Sequence, residues 1–245
     1  MTTNLHGSPT FRPLYEQIKI LITQSLVSGE WKPGEAIPSE TDLAGRFKVS
    51  QGTVRKAIDE LAAENILVRR QGKGTFVATH NEEKRKYYYL RLFSESGEKA
   101  QPVSELLSWE KIKADARMAH ILGVRKGGPL IELKRVLRMG GEPVIYDVIR
   151  LSPAVFKGLT AARITEFQGT IYSLYETLYG IRIIQAEERL KAVAAAPDVA
   201  AHLGLPAGAP ILSIERVALT YGDRPVEWRV SLCNTEEHYY LNEIG

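Results

Sequence analysis

A basic segment between positions 46 and 73 holds side chains that could bind a polyanion. Seven lysine or arginine residues stand there against three acidic residues, and Gln51 and Arg55 lie within it. Glutamine can pair with the edge of adenine through two hydrogen bonds, and arginine can pair with guanine or bind a phosphate. A solvated basic face without a partner is the alternative interpretation, and charge alone does not separate the two.

The apolar spacing around this segment predicts three helices that would position these side chains. An amphipathic helix is predicted over 13–28, and Ser39 with Asp42 forms a capping box that opens a second, short helix. Ser50 can cap a third helix after a tight turn. Two short helices joined in this way predict a helix-turn-helix, whose second helix enters the major groove of DNA. The apolar stripe of that helix leaves four residues facing outward near its start: Gln51, Gly52, Arg55 and Lys56.

A basic hairpin is predicted directly after these helices. Two runs of strand-forming residues within 66–77 flank Gln71-Gly72-Lys73-Gly74, whose glycines permit a tight turn. The cationic tip suits the DNA backbone or the minor groove beside the third helix, as the wing of a winged helix would. A Gly-Lys-Gly loop could instead hold a nucleotide phosphate, but Walker spacing is absent and no helix is predicted to follow.

Together these motifs resemble the winged-helix domain of GntR-type bacterial transcription regulators. The resemblance is carried by Pro33-Gly34-Glu35, Pro38-Ser39-Glu40, Val49-Ser50, Thr53-Val54-Arg55 and residues 69–77. It implies double-stranded operator DNA as a partner, contacted from the start of the second helix, the third helix and the wing. The implied DNA-binding residues are Ser39, Glu40, Thr41, Ser50, Gln51, Gly52, Thr53, Arg55, Arg69, Arg70, Gln71, Gly72, Lys73 and Gly74. Thr41 and Gln51 stand where many members carry arginine, so a different base preference is expected.

A second domain is predicted after a polar linker. Residues 79–86 carry mixed charge and no apolar side chain, which is typical of an exposed connection between domains. We therefore predict a DNA-binding domain over 1–78 and a second domain over 87–245. From position 87 onward, period-two runs separated by glycine-containing turns and a few short helices predict an α+β domain on an antiparallel sheet.

The second domain contains an internal repeat. A helix–strand–hairpin–strand pattern recurs, so that Gly123 and Gly204 stand 81 positions apart, and Tyr146 and Trp228 stand 82 positions apart. Two related units that share one sheet would leave a cleft between them, where a small ligand could be enclosed.

Three charged residues fall on the apolar faces of the predicted strands. Alternation over 130–138 places Arg135 with leucines and isoleucines, and alternation over 144–150 does the same for Asp147. Arg216 occupies a similar place in the second unit. An ionised group on an apolar face is costly unless it is paired, so each needs a counter-charge or a ligand. An internal ion pair between Arg135 and Asp147 and a binding site for an effector are the two interpretations.

The GntR resemblance extends through this half of the chain to the HutC subfamily, whose UTRA effector domain has a chorismate-lyase-like fold. It implies that the effector pocket is lined by Arg135, Asp147, Thr170, Tyr172 and Glu227. Leu137 stands where members that bind sugar phosphates often carry a second arginine, which favours a small carboxylate or a zwitterion over a doubly held phosphate, with a sugar-derived effector as a further possibility. The resemblance also implies a repressor that acts as a homodimer held mainly by its effector domains.

Composition and motifs disfavour other classes of function. No stretch approaches the roughly 20 apolar residues that span a bilayer, the first ten residues do not resemble a secretory signal, and a single cysteine, Cys233, fits a reducing cytoplasm. No metal-ligand spacing, cofactor motif or Ser/His/Asp order is present, so neither a metal nor a cofactor is expected. A lyase-like enzyme with an accessory DNA-binding domain is the alternative to a ligand-responsive regulator.

Overall fold

A computed structural model describes residues 12–79, 90–97 and 101–242. The chain divides into an N-terminal unit, Met1–Ala78, and a C-terminal unit, Thr79–Gly245. Of the predicted linker, residues 80–86 lie outside the described residues, and the predicted domain boundaries stay a prediction.

The N-terminal unit is a three-helix winged helix. Its elements are α1 (Leu14–Val27), α2 (Glu40–Phe47), α3 (Gln51–Ala63), β1 (Leu67–Arg70) and β2 (Gly74–Val77). The two strands form an antiparallel hairpin in which Leu67 lies opposite Val77. The apolar stripes predicted for the helices meet in one core, whose fully buried members include Ile22, Leu43, Val54, Ile58 and Leu61. The predicted helix-turn-helix with a wing is therefore confirmed.

Local capping fixes where the second and third helices begin. The Ser39 hydroxyl accepts from the Asp42 backbone N–H at 3.2 Å, and Asp42 accepts in return from the Ser39 N–H at 3.3 Å. Ser50 caps α3 by accepting from the Thr53 N–H at 3.2 Å. Lys48 ends α2 in the left-handed region at φ 56°, which turns the chain sharply between the helices. The predicted caps are confirmed.

The C-terminal unit is built mainly from antiparallel strands. Its elements are β3 (Leu92–Ser94), β4 (Val103–Lys113), α4 (Ala116–Leu122), β5 (Pro129–Met139), β6 (Glu142–Leu151), α5 (Ala161–Glu166), α6 (Ile171–Tyr179), β7 (Gln185–Ala194), α7 (Pro197–Leu203), β8 (Pro210–Thr220), β9 (Arg224–Cys233) and β10 (His238–Tyr240). Six of these strands form one antiparallel sheet with the order β4-β5-β6-β9-β8-β7. A separate two-stranded sheet pairs β3 with β10.

The sheet consists of two copies of one unit, as the internal repeat predicts. The first is β4-α4-β5-β6 and the second is β7-α7-β8-β9, and they join where β6 pairs with β9. Helices α4 and α7, which join the first two strands of each copy, end at equivalent glycines in the left-handed region, Gly123 at φ 62° and Gly204 at φ 69°. Only glycine adopts this conformation without strain, which explains why both copies carry it at this position.

The two faces of the sheet are covered by different helices. Helices α4 and α7 pack on one face, where Leu130, Tyr146 and Trp228 are buried. Helix α6 packs on the opposite face, against Leu133 and Ile149. Because side chains alternate between faces along each strand, the second face also receives the three charged residues that the sequence placed on apolar positions.

The core beneath α6 is expected to dominate the stability of the C-terminal unit. Leu133→Ala should lower its free energy of unfolding by about 2–5 kcal/mol, because Leu133 is fully buried and truncation leaves a cavity. Leu190→Ala, on edge strand β7 with the side chain 43% exposed, should change the same quantity by less than about 0.5 kcal/mol. Urea unfolding followed by circular dichroism measures both, and equal effects would contradict the packing described.

Candidate nucleic-acid interface and effector cavity

The predicted DNA-binding residues all lie on the surface of the N-terminal unit. They come from the start of α2, the start of α3 and the tip of the wing. Glu40 and Thr53 are half-buried, and the other twelve are exposed. Gly52 has no neighbour that its lack of a side chain serves, since an added Cβ would come no nearer than 3.9 Å to the Ser50 hydroxyl. Packing within the protein therefore does not require glycine at this position.

One carboxylate connects the three parts of this surface. Glu40 accepts from Arg55 Nε at 2.9 Å, from Arg69 Nη1 at 2.9 Å and from Gln51 Nε2 at 3.3 Å. Its side chain is only 14% exposed, whereas those of Arg55 and Arg69 are 57% and 44% exposed. Arg69 also donates to Asp59 at 2.7 Å, which ties the wing to the middle of α3.

The charges around Glu40 keep it ionised. Burial raises the pKa of Glu40, but the guanidinium groups of Arg69 and Arg55 outweigh burial and lower the pKa below its ordinary value. A carboxylate has no proton to donate to a phosphate, so this residue is suited to hold the two arginines rather than to touch a polyanion.

Not every cation of the basic segment is aimed outward. Arg46 forms an ion pair with Glu30. The ammonium group of Lys56 lies 3.9 Å from the centroid of the Tyr15 ring, which draws it toward α1. Arg70 stacks over Phe76 with its guanidinium carbon 4.6 Å from the ring centroid. Stacking fixes the plane of the Arg70 guanidinium.

The C-terminal unit encloses a cavity of about 560 Å³. Its floor is the sheet face that carries the charged residues, and one side is the chain leading into α6. Leu92 of β3 and Tyr240 of β10 close another side. Of the five residues predicted to contact an effector, four line this cavity: Arg135, Asp147, Thr170 and Tyr172.

Arg135 and Asp147 form the internal ion pair that was one of the two interpretations. They are cross-strand neighbours on β5 and β6, and Arg135 Nε and Nη2 each lie 2.8 Å from Asp147 Oδ2. Asp147 also accepts from the Ser231 hydroxyl at 2.5 Å and from Arg229 Nη1 at 3.4 Å. Burial by itself raises the pKa of Asp147, but Arg229, Arg135 and Ser231 outweigh it and the pKa is lowered. Because both residues of the pair also border the cavity, the pairing does not remove them from a binding site.

Glu227 differs from the sequence prediction in its surroundings. It is fully buried, does not line the cavity, and accepts from the hydroxyls of Tyr172 at 2.9 Å and Tyr175 at 2.7 Å. Arg229 binds both of its oxygens, at 2.9 and 2.8 Å. The structure therefore places Glu227 as a buried counter-ion behind two lining residues, Tyr172 and Arg229, and its predicted contact with an effector stays a prediction. Burial and Glu227 together raise the pKa of Tyr175 well above its ordinary value.

Arg229 is a cavity residue that the sequence reasoning missed. The repeat could have found it, because the 82-position offset makes it the equivalent of Asp147. The sheet register confirms the equivalence: Arg135 lies opposite Asp147 in the first copy, and Arg216 lies opposite Arg229 in the second. The second copy therefore opposes two cations, which Glu227 and Glu188 neutralise.

Thr170 begins α6 at the cavity. Its side chain accepts from the Ser173 N–H at 3.2 Å and so caps the helix. The preceding residue, Gly169, is required by packing, because an added Cβ would come within 2.7 Å of both Phe167 and Ser173.

A winged helix with an exposed cationic face, on one chain with a unit that encloses a polar cavity, defines a DNA-binding regulator with a small-molecule effector domain. Residues 14–77 match the model for bacterial regulatory proteins of the gntR family, and residues 97–239 match the UTRA domain. The chain belongs to the GntR family and is of its HutC type. The predicted family and fold class are confirmed. Its named relatives are transcriptional regulators rather than enzymes, as predicted.

Named relatives and a solved structure agree with this assignment. The chain is 31% identical over 235 residues to the uncharacterized HTH-type transcriptional regulator YurK of Bacillus subtilis, and the alignment covers 94% of each chain. It is 36% identical over 116 residues to the histidine utilization repressor of Klebsiella aerogenes, covering 47% of this chain and 48% of that one. The ligand-binding domain of a GntR-family regulator from Bordetella bronchiseptica superposes with a TM-score of 0.62 at 33% identity, covering 63% of this chain and 96% of that one.

The described part of the chain has neither a membrane-spanning helix nor a cluster of metal ligands. No helix there is long and apolar enough to cross a membrane. No group of three or more histidine, cysteine, aspartate or glutamate residues among 12–79, 90–97 and 101–242 could hold a metal ion.

Asp147→Asn should destabilise the C-terminal unit by about 3–5 kcal/mol at pH 7, because it leaves two buried arginines without this counter-charge. Asp147 has a lowered pKa in the folded protein, so its contribution is present above its unfolded pKa and is lost as the pH falls through the folded value. The difference between the native protein and the variant should therefore shrink below about pH 4.

Denaturant unfolding at several pH values measures this difference. Glu142→Gln, which removes an exposed acid from the same strand, is the control and should cost less than about 0.5 kcal/mol. A pH-independent difference for Asp147→Asn would contradict the assigned ion pair.

Proposed function

We propose that this protein is a transcriptional repressor that binds its operator as a homodimer and releases it when a small molecule occupies the cavity. The observation that carries the proposal is that Glu40 holds Arg55 of α3 and Arg69 of the wing together on one exposed surface. Such a surface matches a duplex, whose phosphates surround each groove. The Klebsiella relative named as a repressor supports the direction of control.

Arg55 is proposed as the principal base-reading residue. Its Nε is engaged by Glu40, so the terminal edge of the guanidinium remains to bind guanine O6 and N7 or a phosphate. Gln51, one turn earlier, is proposed to read adenine. The hydroxyls of Ser39, Thr41, Ser50 and Thr53 are proposed to bind phosphates, and the segment 69–74 is proposed to lie against the flank of the site.

The cavity is proposed as the effector site. Arg135, held by Asp147, offers its outer edge to an anionic group, and Thr170 and Tyr172 supply polar contacts beside it. A homodimer would place two winged helices on a pseudo-palindromic operator, as the spacing of half-sites requires. Effector binding can shift this arrangement only by the difference in its affinity for the two states.

Arg55→Ala should weaken binding to the operator by about 1–3 kcal/mol and relax the base preference at one position. The measurement is fluorescence anisotropy with a labelled duplex from the region upstream of the protein's own gene, at several salt concentrations. Lys191→Ala, which removes an exposed cation from strand β7, is the control and should leave the affinity within twofold. Unchanged affinity of Arg55→Ala would exclude this residue from the interface.

Glu40→Gln distinguishes positioning from simple charge. Removing a negative charge from a DNA-binding surface strengthens binding if only net charge matters. If Glu40 orients its two arginines, the variant should instead weaken binding, by roughly 1.5–3 kcal/mol for hydrogen bonds to charged groups.

The same anisotropy titration decides between these outcomes. Combining Glu40→Gln with Arg55→Ala should weaken binding by less than the sum of the single effects, because both changes act through one contact. Glu64→Gln, which removes an exposed acid just past the other end of α3, is the matched control. Tighter binding by Glu40→Gln would disprove the positioning role.

A further inference from the structure

We infer that the effector is an amphiphilic monocarboxylate, a small organic acid with an aliphatic or aromatic body, rather than a sugar phosphate or an amino acid. The inference rests on the proposed effector role of the cavity and is drawn from two properties of its wall. One is the way in which the buried charges pair. The other is an apolar band beside them.

Two of the three buried guanidinium groups in the wall are held by glutamates. Arg229 binds both oxygens of Glu227, at 2.9 and 2.8 Å. Arg216 binds Glu188 through Nε at 2.6 Å and through Nη2, and its Nη1 lies 3.5 Å from the Tyr172 hydroxyl. A ligand that drew either arginine away would deprive the buried Glu227 or the half-buried Glu188 of its counter-charge, which is unfavourable.

Arg135 is held in the same way, since Asp147 engages its Nε and Nη2. It differs in its third nitrogen: Nη1 lies 3.5 Å from the hydroxyl of the exposed Ser104, whereas the corresponding atom of Arg216 faces the hydroxyl of the buried Tyr172. Ser104 is exposed at the start of β4 and can turn to a ligand. This leaves one guanidinium edge and one hydroxyl, a pair of donors that matches a single carboxylate group.

The charge balance argues against a phosphate dianion and against an ammonium group. The three buried arginines are matched by three buried or half-buried acids, so these six groups carry no net charge. Among the described wall residues, Arg91, half-buried just before β3 and bound to Asn242, is the one further cation, so the wall can balance one negative charge of a ligand but not two. An ammonium group would need a free carboxylate, and Asp147 already accepts from Arg135, Arg229 and Ser231.

An apolar band lies next to this polar end. Two residues along the strands from Arg135, Asp147 and Ser231, the same sheet face carries Leu137, Ile145 and Cys233. At about 3.4 Å per residue the band begins roughly 7 Å from the carboxylate site, within reach of a ring or a short alkyl chain. Leu92 of β3 packs on the band and encloses it. A sugar placed here would bury hydroxyl groups without partners, which costs free energy for each group.

Leu137 is the residue that decides this preference. It shares its strand and its face with Arg135, and it is buried within the apolar band. An arginine in its place would supply the second cation that a phosphate needs and would remove the contact that an apolar body needs.

The test is isothermal titration calorimetry of the full chain with five matched probes. We expect 3-phenylpropanoate to bind at least tenfold more tightly than each of the other four. The amide 3-phenylpropanamide lacks the charge, acetate lacks the body, L-phenylalanine adds an ammonium group, and glucose 6-phosphate is a polyol dianion. Failure of 3-phenylpropanoate to bind at millimolar concentration, or equal binding by any of the other four, would overturn the inference.

Two variants locate the binding mode. Ser104→Ala changes an exposed side chain and should weaken binding of 3-phenylpropanoate about threefold or more without changing that of the amide. Leu137→Arg should weaken binding of 3-phenylpropanoate at least tenfold and strengthen that of glucose 6-phosphate, whereas Lys134→Arg, on the same strand but the opposite face, should change neither. If Leu137→Arg fails to fold, the titrations of the native protein with the five probes and the Ser104→Ala variant still decide the outcome. If Leu137→Arg folds and ranks the five probes as the native protein does, the inference is overturned.

Failure of this inference is separable from failure of the proposed function. Duplex binding by the ligand-free protein, measured by anisotropy, does not depend on which probe the cavity accepts. If the duplex binds and 3-phenylpropanoate does not, the effector class is wrong and the repressor function stands. If 3-phenylpropanoate binds and no duplex from the protein's own genomic neighbourhood does, the regulatory function is wrong.

Discussion

The C-terminal unit depends on one buried carboxylate. Asp147 is 1% exposed and lies where the two copies of the repeat meet, so it must be compensated from both sides. Arg135 reaches it from its own copy, and Arg229 and Ser231 reach it from the other. These contacts hold four central positions of the sheet in one arrangement. They also determine which edge of Arg135 faces the cavity, so the same carboxylate sets both the stability of the sheet and the chemistry of the site.

Duplication explains how such a cluster arose on an otherwise apolar face. In the first copy the equivalent cross-strand positions hold Arg135 and Asp147, and in the second they hold Arg216 and Arg229. The two copies therefore differ in charge sign at one equivalent position, and the pair in the first copy is connected to the second copy through Arg229. The surplus cation of the second copy then required Glu227 and Glu188, neither of which has an acidic equivalent in the first copy at the 82- or 81-position offset.

Much of the fold could be predicted from residues that act locally. The caps at Ser39 and Ser50 and the strand alternation around Arg135 depend on neighbours along the chain, and the structure confirms each. The surroundings of Glu227 could not be predicted in the same way. Two of its partners, Tyr172 and Tyr175, come from α6, more than fifty positions earlier in the sequence. Alternation shows only which face a residue is on, not whether another side chain covers it. The small β3–β10 sheet was missed for the same reason, since it joins segments far apart in the chain.

Both candidate sites use a carboxylate to prepare an arginine. Glu40 takes Nε of Arg55, and Asp147 takes Nε and Nη2 of Arg135, so in each case one side of a guanidinium is fixed and the terminal edge is left for a partner. An arginine side chain held in this way has already lost most of its rotamer entropy, which amounts to about 2 kcal/mol for a free side chain. That cost is met during folding rather than during binding, so the partner's affinity is higher and its orientation is set in advance. The two carboxylates differ in burial. The ion pairs of Glu40 lie at the surface, where dissolved salt screens them, whereas those of Asp147 are buried and are screened much less.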